Sequence, residues 1–427
     1  MTARSDHPPI RVERALALLP DLDVLAPLRS FVVSLSRGGR LAAEPYRTVG
    51  KRTIHSTELR ALIPRAVGRL ADHLSLLYEA AIEALEAEER GDLSSSVHAL
   101  LAAGEREEAA GRPEAARAWY EHALRIAEQL RDRRPELVAL RRIGRLDASR
   151  ADFESAARSY QRSFALAEAE LDQEGAALAC RGLGDIAAER RRWPGAVSWY
   201  TRALQHADAS SPLAADLKLA LADAARNQGD ADAAVEWMRQ AHAQYRQLGR
   251  SDGMAAALNV SAQLDAAAGR RVRALARYQK ALTLLAGAPS PELEMAIRLN
   301  VCHLHVDWGR LPDAEDEVRR AEELAIAHGL TRQLVRLYTM LGVVRGKQGD
   351  EAGFVFFEKA IELCQGRDAE PQLEAAACLE YARFRRDLGD LEECRAYVAR
   401  VRELLERKSN GEARDRLEAE LAALESG

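Results

Sequence analysis

Residues 104–123 read GEREEAAGRPEAARAWYEHA, and residues 144–163 read GRLDASRADFESAARSYQRS, the same arrangement 40 positions later. Each stretch has glycine, then a turn residue seven positions on, followed by alanine, tyrosine and a small residue at the same offsets. The turn residue recurs at intervals of 40 residues with one interval of 38, at Gly111, Ala151, Arg191, Gly229, Gly269, Gly309, Gly349 and Gly389. A period of this length predicts a stack of similar two-helix units.

Small residues keep the same phase around these turns. The position seven before the turn holds glycine, alanine or cysteine in all eight units, and the position five after it holds alanine in six. Helices approach to about 8–10 Å only where side chains are small, so both positions are predicted helix crossings. Tyrosine nine residues after the turn is predicted to fill the adjacent space. The seventh unit is one residue short, and Gly353 is expected to take its small-residue place.

The pattern resembles the tetratricopeptide repeat, whose turns also read Gly-Asp, as here in Gly229-Asp230, Gly349-Asp350 and Gly389-Asp390. The resemblance covers about Leu93 to Leu405. The common unit of that family has 34 residues, so this chain is most similar to the long-helix branch, which includes sensor arms of bacterial regulators and the kinesin light chain. The resemblance implies an all-α fold, a right-handed superhelical solenoid of about eight helix pairs.

The remainder of the chain divides into three predicted segments. Residues 1–56 are predicted to be helical and basic, and residues 57–92 a degenerate helix pair. The repeats occupy residues 93–407, and residues 408–427 form a capping helix with Leu417, Leu421 and Leu424 on one stripe. No run of alternating apolar residues predicts a strand. Prolines mark helix starts, as in Ser211-Pro212 and Ser290-Pro291.

Composition indicates a protein of a reducing compartment. The five cysteines include no CxxC pair and are interpreted as small core residues. No apolar stretch reaches the length of a membrane span, and the N-terminal stretch is broken by charged residues and proline. We expect a cytoplasmic protein that does not contact membrane.

A recognisable catalytic or cofactor motif is absent from the sequence. Residues 342–347, GVVRGK, resemble a phosphate-binding loop but have one residue too few between the glycines and Gln348 where Ser or Thr is needed. Cys302 and His305 share one helix face, but Cys302 occupies a crossing position, so packing is favoured over zinc. Trp119, Trp199 and Trp237 share one phase and are interpreted as packing residues. We predict a non-enzymatic protein without cofactor or metal.

The resemblance implies which surface binds a partner. In tetratricopeptide proteins, the first helix of each pair lines a concave channel through residues at 13, 10, 9, 6, 3 and 2 positions before the turn. Transferred to this chain, the polar positions are Arg141, Arg142, Arg145, Arg181, Asp185, Asp223, Arg226, Asn227, Asn259, Gln263, Asn300 and His303. The predicted channel changes from cationic to amide-rich along its length.

Asparagine supports this assignment, because three of the four asparagines in the chain fall on channel positions. Asparagine is a mediocre helix former, and its amide can pair with the backbone of an extended peptide. Asn227 also lies near a helix end, where its local role is an alternative. The Lys/Asn/Arg clamp that grips a free C-terminus in the family is not reproduced. Arg141 and Arg145 instead favour a partner with acidic side chains, since guanidinium pairs with carboxylate.

Three functions remain open at this point. The first is an adaptor or scaffold that holds a protein or peptide, including an acidic one, in the channel. The second is a peptide-responsive regulator whose output passes through residues 1–56. The third is nucleic-acid binding through a basic patch at residues 37–52, which contains Arg37, Arg40, Arg47, Lys51 and Arg52. Few aromatic side chains accompany that patch, so nucleic acid is disfavoured as a partner. The oligomeric state is not predicted.

Overall fold

The structure is a computed structural model that describes residues 9–11, 53–55, 83–84, 87, 90–110, 112–130, 132–287, 289–328, 330–364, 371–408 and 417–422. Several predicted features lie outside these ranges: the turn at Gly111, the basic patch at residues 37–52, the helices predicted within residues 1–56, most of the degenerate pair at residues 57–92, and Leu424. The chain divides into two compact units, Met1–Ile186 (unit 1) and Ala187–Gly427 (unit 2).

Helices that alternate with short turns make up almost all of the described chain. Unit 1 contains α1 (Leu93–Ala109), α2 (Pro113–Ala127), α3 (Arg134–Ser149), α4 (Phe153–Ala169) and most of α5 (Gln173–Glu189). Unit 2 contains α6 (Trp193–His206), α7 (Pro212–Gln228), α8 (Ala231–Gln247), α9 (Ser251–Ala267), α10 (Arg271–Leu285), α11 (Pro291–Asp307), α12 (Leu311–Ala327), α13 (Thr331–Lys347), α14 (Phe354–Cys364), α15 (Pro371–Asp387) and α16 (Leu391–Lys408). The predicted all-α helical repeat is confirmed.

Two short strands also form, outside the helical repeat. Strand β1 (Pro9–Arg11) pairs antiparallel with β2 (Thr53–His55), and Ile10 stands opposite Ile54. Each strand has only three residues, so alternation of polar and apolar residues is too brief to be read from the sequence. The isoleucine pair suits a ladder because β-branched side chains favour extended backbone.

The repeated turns adopt left-handed backbone, which explains their regular glycine. The φ angles are 91° at Gly229, 72° at Gly269 and 76° at Gly309. Ala151 and Arg191 occupy the same place at φ of 59° and 54°, which costs a residue with a Cβ atom about 1–2 kcal/mol. Where an aspartate follows the turn, it caps the next helix. Asp230, for example, accepts a hydrogen bond from the backbone N–H of Ala233 at 3.0 Å.

The helix crossings lie where the small residues predict them. All six alanines five residues after a turn are fully buried: Ala116, Ala156, Ala196, Ala234, Ala274 and Ala314. Tyrosine rings fill the space beside the glycines of neighbouring helices. A Cβ atom on Gly104 would collide with the ring of Tyr120, and one on Gly182 would collide with the ring of Tyr160. Only glycine therefore leaves room for these rings, and the packing sets the distance between helices.

The seventh helix pair departs from the others as predicted. Residues Glu351–Gly353 form a 3-10 turn before α14, and Gly353 is buried. A Cβ atom there would lie 3.1 Å from the Cβ atom of Arg345 and 3.2 Å from the carbonyl oxygen of Gly342. The tighter turn takes up the missing residue, because a 3-10 helix rises farther per residue than an α-helix.

Buried charges near the helix ends are neutralised across the turns. In the fifth unit, Asp265 is 2 % exposed and pairs with Arg270 at 2.8 Å and Arg277 at 2.5 Å. In the seventh unit the positive and negative residues are exchanged. Arg345 stands at the position of Asp265, four residues before the turn glycine, and pairs with Asp350 at 3.0 Å. A buried charge requires a partner, and either order of the two charges satisfies that need.

Residues 417–422 are helical and cover the last helix pair, in agreement with the predicted capping helix. Leu417 and Leu421 are 8 % and 5 % exposed and belong to the core cluster that also contains Leu404 and Leu405. Covering of the terminal apolar face is required for a helical stack to stay soluble.

Replacing alanine by glycine at one turn and glycine by alanine at another should change the free energy of unfolding in opposite directions. Ala151→Gly should raise the free energy of unfolding by about 0.5–1 kcal/mol, and Gly269→Ala should lower it by about 1 kcal/mol. A Cβ atom at Gly269 would meet nothing within 4 Å, so only backbone conformation is involved. Urea unfolding followed by circular dichroism measures both. Ala268→Gly is the control, because φ is −83° there and glycine should give no gain; a gain equal to that of Ala151→Gly would refute the explanation.

Enlargement of a crossing residue should weaken the fourth helix pair. Ala234 is fully buried, so Ala234→Leu should lower the free energy of unfolding by roughly 1–3 kcal/mol. The adjacent Val235 is 48 % exposed, and Val235→Leu should leave the urea midpoint nearly unchanged. Equal midpoints for the two variants would show that the crossing is assigned to the wrong position.

Candidate functional site

The predicted site residues lie on the first helices of the pairs, which stand side by side within each unit. Helix α1 contacts α3 in unit 1, and α7, α9, α11, α13 and α15 contact one another in sequence in unit 2. We call the surface formed by residues 10, 9, 6 and 3 positions before each turn the first-helix face. Its polar groups differ between the two units.

In unit 1, two predicted cations are paired with carboxylates of the preceding first helix. Arg142 donates to Glu105, and Arg145 donates from Nη2 to Oε2 of Glu108 at 2.6 Å. Both pairs join residues 37 positions apart. The carboxylate of Glu108 also accepts the hydroxyl hydrogen of Tyr120 at 3.0 Å.

These pairs correct the predicted cationic character of this part of the surface. Glu105 and Glu108 occupy the face positions of the first unit, which the sequence analysis did not include. Their charges offset those of Arg142 and Arg145, so neither arginine is a free cation. The signal was present in the sequence, because the two glutamates stand six and three positions before Gly111.

The other predicted residues of unit 1 lie on α3 and α5. Arg181 and Asp185 form an ion pair within α5 at 3.9 Å. Arg141 is half-buried, and no described carboxylate lies within 4.0 Å of its guanidinium. Desolvation lowers the pKa of Arg141, and the more distant carboxylates of Asp172 and Glu174 oppose this shift. Arg141 therefore differs from its neighbours in having no ion-pair partner in the described chain.

In unit 2, Asp223, Arg226 and Asn227 form a cluster on α7. Arg226 donates to Oδ1 of Asp223 at 2.6 Å, and the amide of Asn227 donates to the Asp223 carbonyl at 2.9 Å and to its Oδ2 at 3.2 Å. The alternative considered for Asn227, a local role near the helix end, therefore has a structural basis. The three side chains thus bond to one another within one helix, while Nε of Arg226 is buried without a partner among the described residues.

Asn259 on α9 and Asn300 on α11 form the polar contact between these two helices. The Nδ2 atom of Asn300 donates to Oδ1 of Asn259 at 2.9 Å. Both side chains are half-buried. The bond leaves the amide N–H groups of Asn259 and an acceptor on Asn300 without partners among the described residues. If the oxygen and nitrogen atoms of both side-chain amides were exchanged, Asn259 would donate to Asn300, and the pair would still keep donor and acceptor groups without partners.

Gln263 and His303 lie one helical turn beyond this pair on the same two helices. Gln263 is half-buried and His303 is exposed to solvent. Desolvation by surrounding groups nevertheless lowers the pKa of His303, and Asp307 opposes the shift. The four residues form an uncharged polar patch at neutral pH, which we call the amide patch.

A third ion pair across 37 positions occurs at the end of unit 2. Arg383 on α15 donates to Glu420 of the C-terminal helix at 3.3 Å, again across 37 positions. The order of charges is the reverse of that in unit 1. The C-terminal helix thus takes the place of one more first helix beside α15.

Other candidate positions serve packing. Trp119 is 2 % exposed, whereas Trp199 and Trp237 are half-buried. Cys302 and His305 are buried, and within the described residues no group of three or more His, Cys, Asp or Glu side chains could hold a metal ion. The five cysteines are buried with free thiols. Among the described helices, none combines the length and apolar character that a bilayer span requires.

Comparison with known proteins agrees with this geometry. Two models of the tetratricopeptide repeat match the chain, one over residues 95–169 and one over residues 215–241. No curated protein sequence matches it.

Solved structures of similar fold include regulators and a signalling ATPase. A Rap protein complexed with competence and sporulation factor has a TM-score of 0.56 and 15% identity, over 86% of this chain and 99% of that chain. A signal transduction ATPase with a tetratricopeptide repeat sensor from Pyrococcus horikoshii has a TM-score of 0.53 and 15% identity, over 98% of this chain and 58% of that chain. NprR in complex with its cognate peptide NprX has a TM-score of 0.47 and 13% identity, over 79% of this chain and 99% of that chain. Residues 95–169 and 215–241 are therefore tetratricopeptide repeats, and the helix pairs around them continue the same fold.

Proposed function

We propose that this protein is a non-enzymatic scaffold that holds an extended peptide segment against the first-helix face of unit 2, at the amide patch. The observation that carries the proposal is the hydrogen bond from Asn300 to Asn259 at 2.9 Å. It holds two amides in fixed positions while leaving the N–H groups of Asn259 and the carbonyl oxygen of Asn300 available.

The hydrogen-bonding capacity of the patch matches a peptide backbone. An extended peptide presents an N–H donor and a carbonyl acceptor at each residue, and the free groups of Asn259 and Asn300 complement one of each. Side-chain amides are rigidly placed here because they lie on two packed helices. Fixed partners reduce the entropy that is lost when a ligand binds.

The charge of the patch favours an uncharged ligand segment at this point. Asn259, Gln263 and Asn300 carry no charge, and the lowered pKa of His303 keeps that ring neutral at pH 7. A charged ligand side chain would lose hydration here without gaining an opposite charge. We therefore propose that backbone groups and uncharged polar side chains contact the patch.

The similar folds support a binding role. The Rap protein with a comparable stack of helix pairs was crystallised with competence and sporulation factor bound. A helix stack of this type can thus hold a binding partner. The identity of the segment bound by the present protein depends on its own side chains.

Removal of the amide patch should weaken peptide binding. A displayed library of random linear peptides is selected on the full chain, and the affinity of an enriched peptide is measured by fluorescence anisotropy. Asn259→Ala combined with Asn300→Ala should weaken binding by roughly tenfold or more, since at least one hydrogen bond and its fixed geometry are lost.

The matched control is Gln279→Ala, which removes an exposed amide from the second helix α10. It should leave the affinity unchanged. Equal affinity of the wild-type chain and the double variant, with unchanged circular dichroism, would remove the amide patch from the proposed binding site. Failure to enrich any peptide would count against peptide binding itself.

A further inference from the structure

Tyr160 on α4 has a hydroxyl group that lacks the partner found at the equivalent tyrosine. The side chain is 8 % exposed. Its ring stands between Gly144 on α3 and Gly182 on α5, and a Cβ atom on Gly144 would lie 3.1 Å from Cε2 of the ring. The hydroxyl therefore emerges between two first helices. No described residue forms a hydrogen bond with it, and unlike the indole nitrogen of Trp119 it is not sealed from solvent.

One repeat earlier, the same arrangement contains a carboxylate. Tyr120 occupies the same phase as Tyr160, and its hydroxyl donates to Glu108 at 3.0 Å. Arg145 donates to the same carboxylate at 2.6 Å. A tyrosine hydroxyl and a guanidinium group thus enclose a carboxylate between first helices of this chain. At the position of Glu108 in the next repeat stands Ala148, so the acceptor is missing there.

Charged groups of both signs influence Tyr160, and one of the cations has no ion-pair partner in the described chain. Burial raises the pKa of Tyr160 to about 12, with Asp185 adding to the shift and Arg145, Arg141 and Arg181 opposing it. The phenol therefore stays protonated and remains a donor at physiological pH. Arg141 lies on α3 three residues before Gly144, beside which the ring of Tyr160 stands. Arg145 is paired with Glu108 and Arg181 with Asp185, which leaves Arg141 as the cation without an ion-pair partner in the described chain.

We propose that the hydroxyl of Tyr160 and the guanidinium of Arg141 form a carboxylate-binding site on unit 1, which accepts an acidic group of a ligand where the first repeat uses its own Glu108. Phenol and guanidinium are both donors, and charge-assisted hydrogen bonds to a carboxylate are stronger than neutral ones. The site lies apart in sequence from the amide patch and does not depend on the function proposed for it.

The site is tested with small anions on the full chain. Tyrosine ring resonances are followed by NMR while sodium acetate replaces sodium chloride at constant ionic strength, and inorganic phosphate is titrated in a parallel experiment. The ring resonance of Tyr160 is assigned by its absence from the spectrum of Tyr160→Phe. This resonance should shift with increasing acetate until the site is saturated. Arg141→Gln should weaken acetate binding by roughly tenfold, because a charge-assisted bond is lost.

Two further variants separate binding from effects on folding. Asp185→Asn should strengthen acetate binding, since it removes a negative charge that influences the hydroxyl, and a gain of affinity cannot arise from unfolding. Tyr120→Phe is the matched control and should leave the acetate titration unchanged, because the hydroxyl of Tyr120 already donates to Glu108. Absence of a saturable acetate shift at Tyr160 would overturn the site. A saturable response to phosphate alone would overturn its assignment to carboxylates.

Discussion

The close crossing of two helices at small residues is the constraint on which the rest of this structure depends. Alanines such as Ala116 and Ala156 are fully buried at the crossings, and tyrosine rings occupy the space that neighbouring glycines leave open. Each pair therefore has one permitted distance, and the left-handed turn returns the chain to the same phase about 40 residues later. Stacking then buries apolar surface only between neighbours, so a long chain needs no single central core.

The same regularity brings polar side chains of neighbouring repeats together. Residues 37 positions apart meet on adjacent first helices, as Glu108 does with Arg145 and Arg383 with Glu420. The order of charges can be reversed without loss of the contact. Amides take over between α9 and α11, where Asn300 donates to Asn259. A chain built from one packing scheme thus acquires a surface whose chemistry changes along its length.

Binding capacity is proposed where this internal pairing is incomplete. The amide patch keeps the N–H groups of Asn259 and the carbonyl oxygen of Asn300 after its own hydrogen bond is made. The hydroxyl of Tyr160 has no partner among the described residues, although the equivalent tyrosine one repeat earlier donates to a glutamate. Unpaired groups of this kind on first helices are where a ligand gains most from contact.

The sequence by itself determined the helix pairs, their 40-residue period, the crossing residues and the shortened seventh unit, because small residues and turn glycines act locally and repeat in register. It also placed Asn259 and Asn300 on one surface. Only the tertiary structure decided which of the polar groups are already paired: Arg142 and Arg145 are neutralised by glutamates of the preceding repeat, whereas Arg141 is not. Such pairings depend on side-chain reach between separate helices, and spacing along one helix does not specify that reach.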